Sequence, residues 1–385
     1  MGALERVLND AVARGVAPGL VAGAVRADGT MFLGAAGTRA VDDPRPMETD
    51  SVFWIHSMTK AIAAACCMQA VDEGRLALDD DLATLLPPLA APRVLDGFDA
   101  AGAPILRPAR GAITLRRLLT HTAGFAYEMW NETMRRYGEV VKTPRHLTFE
   151  SAETCLPLAF DPGTSWAYGV GIDWAGKALE AASGTTLEAW MQTRLLDPLG
   201  MRDTGYRLRP EIAARMAGMH RRRGDGGLDP ISVTPMQDAR YFMGGGGLYS
   251  TAADYLRFLR MLLSGGRVGT LSLLRAETVA AMAQNHMGTL SVLPMRTADP
   301  ARTNDADFFP GMEKKWGLSF LINTQDVPGR RAAGSLAWAG LANTYFWLDP
   351  TRGVAGVILA QMFPFADDAV LESLAAFEQA VYAAL

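Results

Sequence analysis

Two residues one helical turn apart set the chemistry of this sequence: Ser57 and Lys60, in Ser57-Met-Thr-Lys60. Side chains at i and i+3 on a helix share a face, so the amine can reach the hydroxyl and take its proton. The chain has five lysines, at positions 60, 142, 177, 314 and 315, and only Lys60 has a serine three residues before it. A short apolar run, Val52 to Ile55, reads as an extended lead-in. Ser57 then falls where an N-cap or first-turn residue belongs, ahead of an Ala-rich helix without a breaker until Gly74. A helix N-terminus offers unpaired N–H groups and a positive dipole end, which favour negative charge where an acyl-transfer oxyanion would form. The apolar character of that helix argues that Lys60 is buried rather than a solvated surface charge.

Other nucleophile, metal and cofactor patterns are missing. No G-x-S-x-G pentapeptide occurs, which disfavours the α/β-hydrolase arrangement. The five histidines form no H-E-x-x-H or i, i+4 pair, so no metal site is expected. Three cysteines, with Cys66 and Cys67 adjacent, give neither a disulfide framework nor ligand spacing and read as small buried thiols. Gly244 to Gly247 lacks the Lys-Ser/Thr of a phosphate-binding loop, and no cofactor is expected. A net charge of −4 gives no case for nucleic acid. No apolar run approaches the ~20 residues of a membrane-spanning helix. The amphipathic start (Leu4, Val7, Leu8, Val12) is unlike a signal peptide, so a cytoplasmic protein acting on a small molecule is expected, with its oligomeric state left open.

The elements that must position the pair are legible in outline. Leu20–Val25 and Met31–Ala35 flank Asp28-Gly29, a hairpin signal. From Leu76 to about Gly111 no strand alternation is evident. Ile113 to Gly124 reads as a short helix capped by Thr114 and ending in a turn. Thr148–Leu156, Ile172–Ala182 and Thr186–Leu195 read as helices, and Arg221 to Gly227 as a solvated loop. Gly244–Gly247 leads into a helix over Ala252–Leu263 capped by Ser250 or Thr251. Strand-like runs return at Trp316–Ile322, Ala333–Ala337, Thr344–Leu348 and Val354–Met362, before a closing helix over Ala369–Ala384. Strands at both ends and helices between them predict an α/β (α+β) fold. It would combine a discontinuous sheet domain, 1–85 with 240–385, and an inserted helical domain, 86–239, with a cleft between them. The clustered Phe125, Tyr127, Met129 and Trp130 line an apolar pocket or form a satellite core under a loop.

Three segments together resemble the serine β-lactamase and penicillin-binding-protein superfamily, and more narrowly the family VIII carboxylesterases, which share the class C β-lactamase fold. Ser57-Met-Thr-Lys60 is similar to the first motif. Phe160-Asp-Pro-Gly-Thr-Ser-Trp-Ala-Tyr168 is similar to the segment bearing the family's tyrosine, and Trp338-Ala-Gly340 stands at the third position. Leu118–Gly124 and Gly244–Asp254 are also like family stretches, so the likeness spans nearly the whole chain in order. The resemblance implies an antiparallel sheet flanked by helices, with Ser57 as nucleophile and Lys60 and Tyr168 as proton-transfer groups. It also implies an oxyanion hole from the N–H groups of Ser57 and Leu341. Trp338 and Gly340 would then contact substrate, and Tyr127, Phe125, Trp130 and Met243, read from the sequence itself, are the candidate pocket residues beside them.

Two departures shape the expected activity. β-Lactamases of this fold carry Tyr-x-Asn, whereas Val170 stands two residues after Tyr168; they also carry Lys-Thr-Gly where this chain has Trp338-Ala-Gly. Loss of that cation removes a partner for a substrate carboxylate, and a Trp face suits neutral groups. The expectation is therefore an esterase acting on small carboxylic esters through an acyl-enzyme, with weak cephalosporin hydrolysis. An acyltransferase on the same scaffold is the alternative, ahead of a β-lactamase, a D-amino-acid peptidase or a non-catalytic relative. Either Lys60 or Tyr168 can be the base, and the sequence does not choose between them.

Overall fold

A computed structural model describes residues 2–142, 156–233, 237 and 241–385. The expected helix over Thr148–Leu156 lies almost entirely outside them. One antiparallel sheet of eight strands organises the molecule. In chain order these are β1 (Gly19–Arg26), β2 (Gly29–Ala40), β3 (Asp43–Pro46), β4 (Lys314–Trp316), β5 (Leu321–Asn323), β6 (Leu336–Gly340), β7 (Thr344–Asp349) and β8 (Val354–Leu359). Their spatial order is β4-β5-β6-β7-β8-β1-β2-β3, so the two ends of the chain meet where β1 pairs with β8. Except at Arg26, β1 is buried along its length, as a central strand covered on both faces must be.

Neighbouring residues of β7 point to opposite faces and mark the two layers. Trp347 packs edge-on to Phe377 of the C-terminal helix α5 (Asp368–Ala383), which also meets Phe32 of β2 and lies beside the N-terminal helix α1 (Ala3–Ala13). Phe346 faces Tyr255 of α4 (Ala252–Leu263), which covers β1 and β8 from the other side. Beyond α4 lies α2 (Thr59–Asp72), buried on all sides from Thr59 to Ala70 and packed against α3 (Gly171–Ser183). An Ala-rich helix that is apolar all round needs such a position inside the molecule. No helix among the described residues is long and apolar enough to cross a membrane.

Several sequence expectations need revision. Ser57 does not cap the long helix: His56–Met58 is a separate 3₁₀ turn, and α2 begins at Thr59. The 76–111 region contains a hairpin, Arg93–Phe98 with Pro104–Pro108, whose prolines and glycines hid its alternation. Arg221–Gly227 is not simply a loop. His220–Arg222 pairs with Leu228–Pro230 and with Met362–Phe363, and Arg222 bonds the carboxylate of Asp367. The Trp316–Ile322 run breaks into β4 and β5 at Ser319, which has φ +77°. The helix expected over 186–195 is α-helical only for Leu187–Met191, followed by a π-helical turn over Gln192–Leu196. The hairpin at Asp28-Gly29 and the α4 cap are as expected, the latter from Thr251, whose hydroxyl accepts the Asp254 N–H at 3.2 Å.

The end of β6 is pressed against the turn that carries Ser57. A Cβ on Gly340 would lie 2.3 Å from the Ile55 carbonyl oxygen and 2.3 Å from Thr344 Oγ1, so only glycine permits this approach. Gly340→Ala is therefore expected to push β6 away from residues 55–57. Stability in denaturant titration should fall by about 1–3 kcal/mol, and acylation should slow by roughly a hundredfold for a displacement near 1 Å.

Candidate active site

The Ser57 turn is fixed from four directions. Phe53–Trp54 pairs with Tyr249–Ser250, and Gln361 brackets Trp54, accepting its N–H and donating to its carbonyl, both at 3.1 Å. Leu248 accepts the N–H of Ile55 at 3.0 Å and donates its own N–H to Thr59 Oγ1 at 3.1 Å. The buried Tyr255 hydroxyl donates to the Met58 carbonyl at 3.0 Å. His56, just before the serine, has φ +43°, a left-handed conformation that costs a non-glycine residue about 1–3 kcal/mol. Its ring stacks on Trp54 at 4.2 Å between centroids. Burial, aided by Lys60, pushes the His56 pKa down to about 3, so the ring is neutral at physiological pH.

Ser57 is half-buried, whereas Lys60 has no exposed surface. The Lys60 nitrogen lies 3.1 Å from Ser57 Oγ, 3.1 Å from the Tyr127 hydroxyl and 2.6 Å from the Gly245 carbonyl oxygen. Three acceptors thus surround a nitrogen with up to three N–H bonds. The ring of Tyr168 closes a further side, its centroid 4.8 Å from Nζ. The Tyr168 hydroxyl accepts the indole N–H of Trp338 at 3.0 Å, and His121 sets its ring against Tyr168 at 4.8 Å. Ser57, Lys60 and Tyr168, separated in sequence by up to 111 positions (168 − 57), therefore meet in one place.

The residues expected to contact substrate divide into groups. Tyr127 stands on Lys60, and burial together with the nearby Asp173 carboxylate pushes its phenol well above the usual range. Phe125 is a core residue, 3% exposed and stacked on Trp174, and its backbone lies close against Gly169. Trp338 is also buried, packed against Trp316 at 4.6 Å, and its indole N–H is directed at the Tyr168 hydroxyl. Gly340 serves the close approach to Ile55. Trp130 and Met243 are half-buried; Trp130 meets the edge of Phe365, and the Met243 carbonyl accepts from Tyr206. Leu341 follows β6 directly, and among the described residues the N–H groups of Ser57 and Leu341 have no hydrogen-bond acceptor.

Reading the sequence alone missed the Gly245 carbonyl and Asp173. Asp173 is 3% exposed in the first turn of α3. One of its oxygens accepts the Gly245 N–H at 3.1 Å and the Tyr241 hydroxyl at 3.5 Å. Burial raises its pKa, while Lys60 opposes the rise. Its only sequence signal is an acid inside Ile172-Asp-Trp-Ala175, which a helix N-terminus explains equally well.

Comparison with known proteins places this geometry. The β-lactamase family profile matches residues 4–380. The chain is 31% identical to the ML-236A carboxylate methylbutanoyltransferase of Penicillium citrinum, over 98% of this chain and 93% of the relative. It is 30% identical to the lovastatin esterase of Penicillium rubens, over 98% of each. The structure of unliganded simvastatin synthase from Aspergillus terreus superposes with a TM-score of 0.85 at 30% identity, covering 99% of this chain and 97% of that one. The chain is an enzyme of the β-lactamase family, on the branch of serine hydrolases and acyltransferases that share the β-lactamase fold.

Proposed function

We propose that this protein is an acyltransferase that carries a short acyl group on Ser57 and delivers it to a hydroxyl of a small-molecule acceptor. The observation that carries the reading is the junction of a buried Lys60 with Ser57 Oγ, in a chain similar from end to end to a methylbutanoyltransferase. A serine hydroxyl needs a base within hydrogen-bond reach, and 3.1 Å supplies it. Ser57 Oγ attacks the donor carbonyl as its proton passes to Lys60 Nζ. The oxyanion is received by the N–H groups of Ser57 and Leu341, each worth about 2.7–4 kcal/mol to such a transition state. The leaving group departs with the proton held by Lys60, aided by Tyr168, and leaves an acyl ester on Ser57. An acceptor hydroxyl then attacks that ester, giving its proton back through the same groups and restoring Ser57.

Water in place of the acceptor makes the same enzyme a carboxylesterase of the family VIII kind. That second reading is favoured by the similarity to lovastatin esterase over 98% of both chains. β-Lactam turnover is disfavoured because Val170 replaces an amide-binding Asn and Trp338 a Lys.

The test uses p-nitrophenyl butanoate as donor and benzyl alcohol as acceptor, with a chromogenic cephalosporin in parallel. Transfer predicts that p-nitrophenol release accelerates with acceptor concentration and that benzyl butanoate accumulates. Ser57→Ala should lower both rates by at least about a thousandfold. Release that ignores the acceptor and yields only butanoic acid would make the enzyme an esterase. A cephalosporin turned over faster than the ester would overturn both readings.

A further inference from the structure

We propose that Asp173 is a positioning residue for Lys60, acting through the backbone of Gly245 and through its own buried charge; the proposal rests on the acyl-transfer reading above. Gly245 is held at both ends. Its N–H donates to Asp173 at 3.1 Å and its carbonyl accepts from Lys60 at 2.6 Å, so the orientation of one residue fixes the lysine nitrogen 3.1 Å from Ser57. Glycine is required there, because a Cβ would lie 2.4 Å from the second Asp173 oxygen and 3.1 Å from the Tyr127 hydroxyl. Carboxylate, phenol and lysine therefore close on the same few atoms.

That second oxygen, Oδ2, is buried and accepts no hydrogen bond among the described residues. A buried acceptor left unpaired costs stability, and such groups in native proteins need a reason. The bonds of Asp173 to Gly245 and Tyr241 do not relieve Oδ2, since both use Oδ1. Among the described residues no arginine or lysine bonds the carboxylate. Among the described residues the ionisable groups facing it are Lys60 from α2, Tyr127 from the segment after Gly124, and Tyr241 and Tyr206 from the far side. Lys60 is the only cation among them. The carboxylate is thus linked to the lysine nitrogen through the single residue Gly245, and a buried negative charge near that nitrogen stabilises the positive charge that arrives there from the serine.

The experiment measures pre-steady-state acylation and kcat with p-nitrophenyl butanoate between pH 5 and 10 for wild type, Ser57→Ala, Asp173→Asn and Tyr241→Phe, with thermal melts of each. Asp173→Asn is expected to lower kcat by roughly ten- to a hundredfold with KM changed less than about threefold. Its rate should begin to rise at a lower pH, because removal of a neighbouring negative charge makes the base easier to deprotonate. A merely structural role would lower the melting temperature and leave the pH of that rise in place. Tyr241→Phe removes one hydroxyl from the same carboxylate and covers the case of an unfolded Asp173→Asn; it should lower kcat by about threefold without affecting KM. Wild-type kcat and pH dependence in a folded Asp173→Asn, or an unchanged kcat in Tyr241→Phe, would overturn the proposal. The acyl-transfer reading fails separately, by full activity in Ser57→Ala.

Discussion

A lysine nitrogen with no contact with water is the constraint on which this structure turns. Inside a protein a polar nitrogen must find acceptors or lose several kcal/mol of solvation, and Lys60 finds Ser57, Tyr127 and Gly245. Each comes from a different part of the chain, so the fold has to bring together the turn before α2, the segment after Gly124 and the glycine run before Tyr249. The cost of burying Lys60 and the reach of Lys60 to Ser57 are two sides of one arrangement. A solvated lysine in the same sequence position would have neither.

The surrounding sheet supplies rigidity where that arrangement needs it. The bond of Tyr255 to Met58, the bracket of Gln361 on Trp54 and the close approach of Gly340 to Ile55 all tie the serine turn to strands or helices of the core. Behind Tyr168 stands a stack of His121, Trp316 and Trp338, with ring centroids 4.6–5.1 Å apart at its nearest contacts. Trp338 here directs an indole N–H at the Tyr168 oxygen, where a lysine would bring a full charge. A neutral donor holds the phenol in place without bringing a second cation beside it.

Sequence reasoning reached the parts of this site that are local. Ser57 and Lys60 are three residues apart, and the short spacing alone keeps them close, in a 3₁₀ turn that runs into α2. The Asp28-Gly29 hairpin and the Thr251 cap are likewise short-range, and both are found. What escaped is decided by tertiary contact. The 3₁₀ turn at His56–Met58 follows from bonds to Leu248 and Tyr255, which no local pattern announces. Phe125 and Tyr127 look alike in a loop rich in aromatics, yet packing sends one into the core against Trp174 and the other onto Lys60. The glycine run at 244–247 reads only as a lead into α4 that lacks the lysine of a phosphate-binding loop, whereas Gly245 is held by bonds to Asp173 and Lys60.

Passage of an acyl group through Ser57 can be read by intact-protein mass spectrometry. Wild-type enzyme mixed with p-nitrophenyl butanoate and quenched in acid within one turnover should gain the mass of one butanoyl group. Peptide mapping should place it on the peptide containing Ser57, and added acceptor should discharge it. Turnover without any adduct, or an adduct on another residue that persists in Ser57→Ala, would contradict the account.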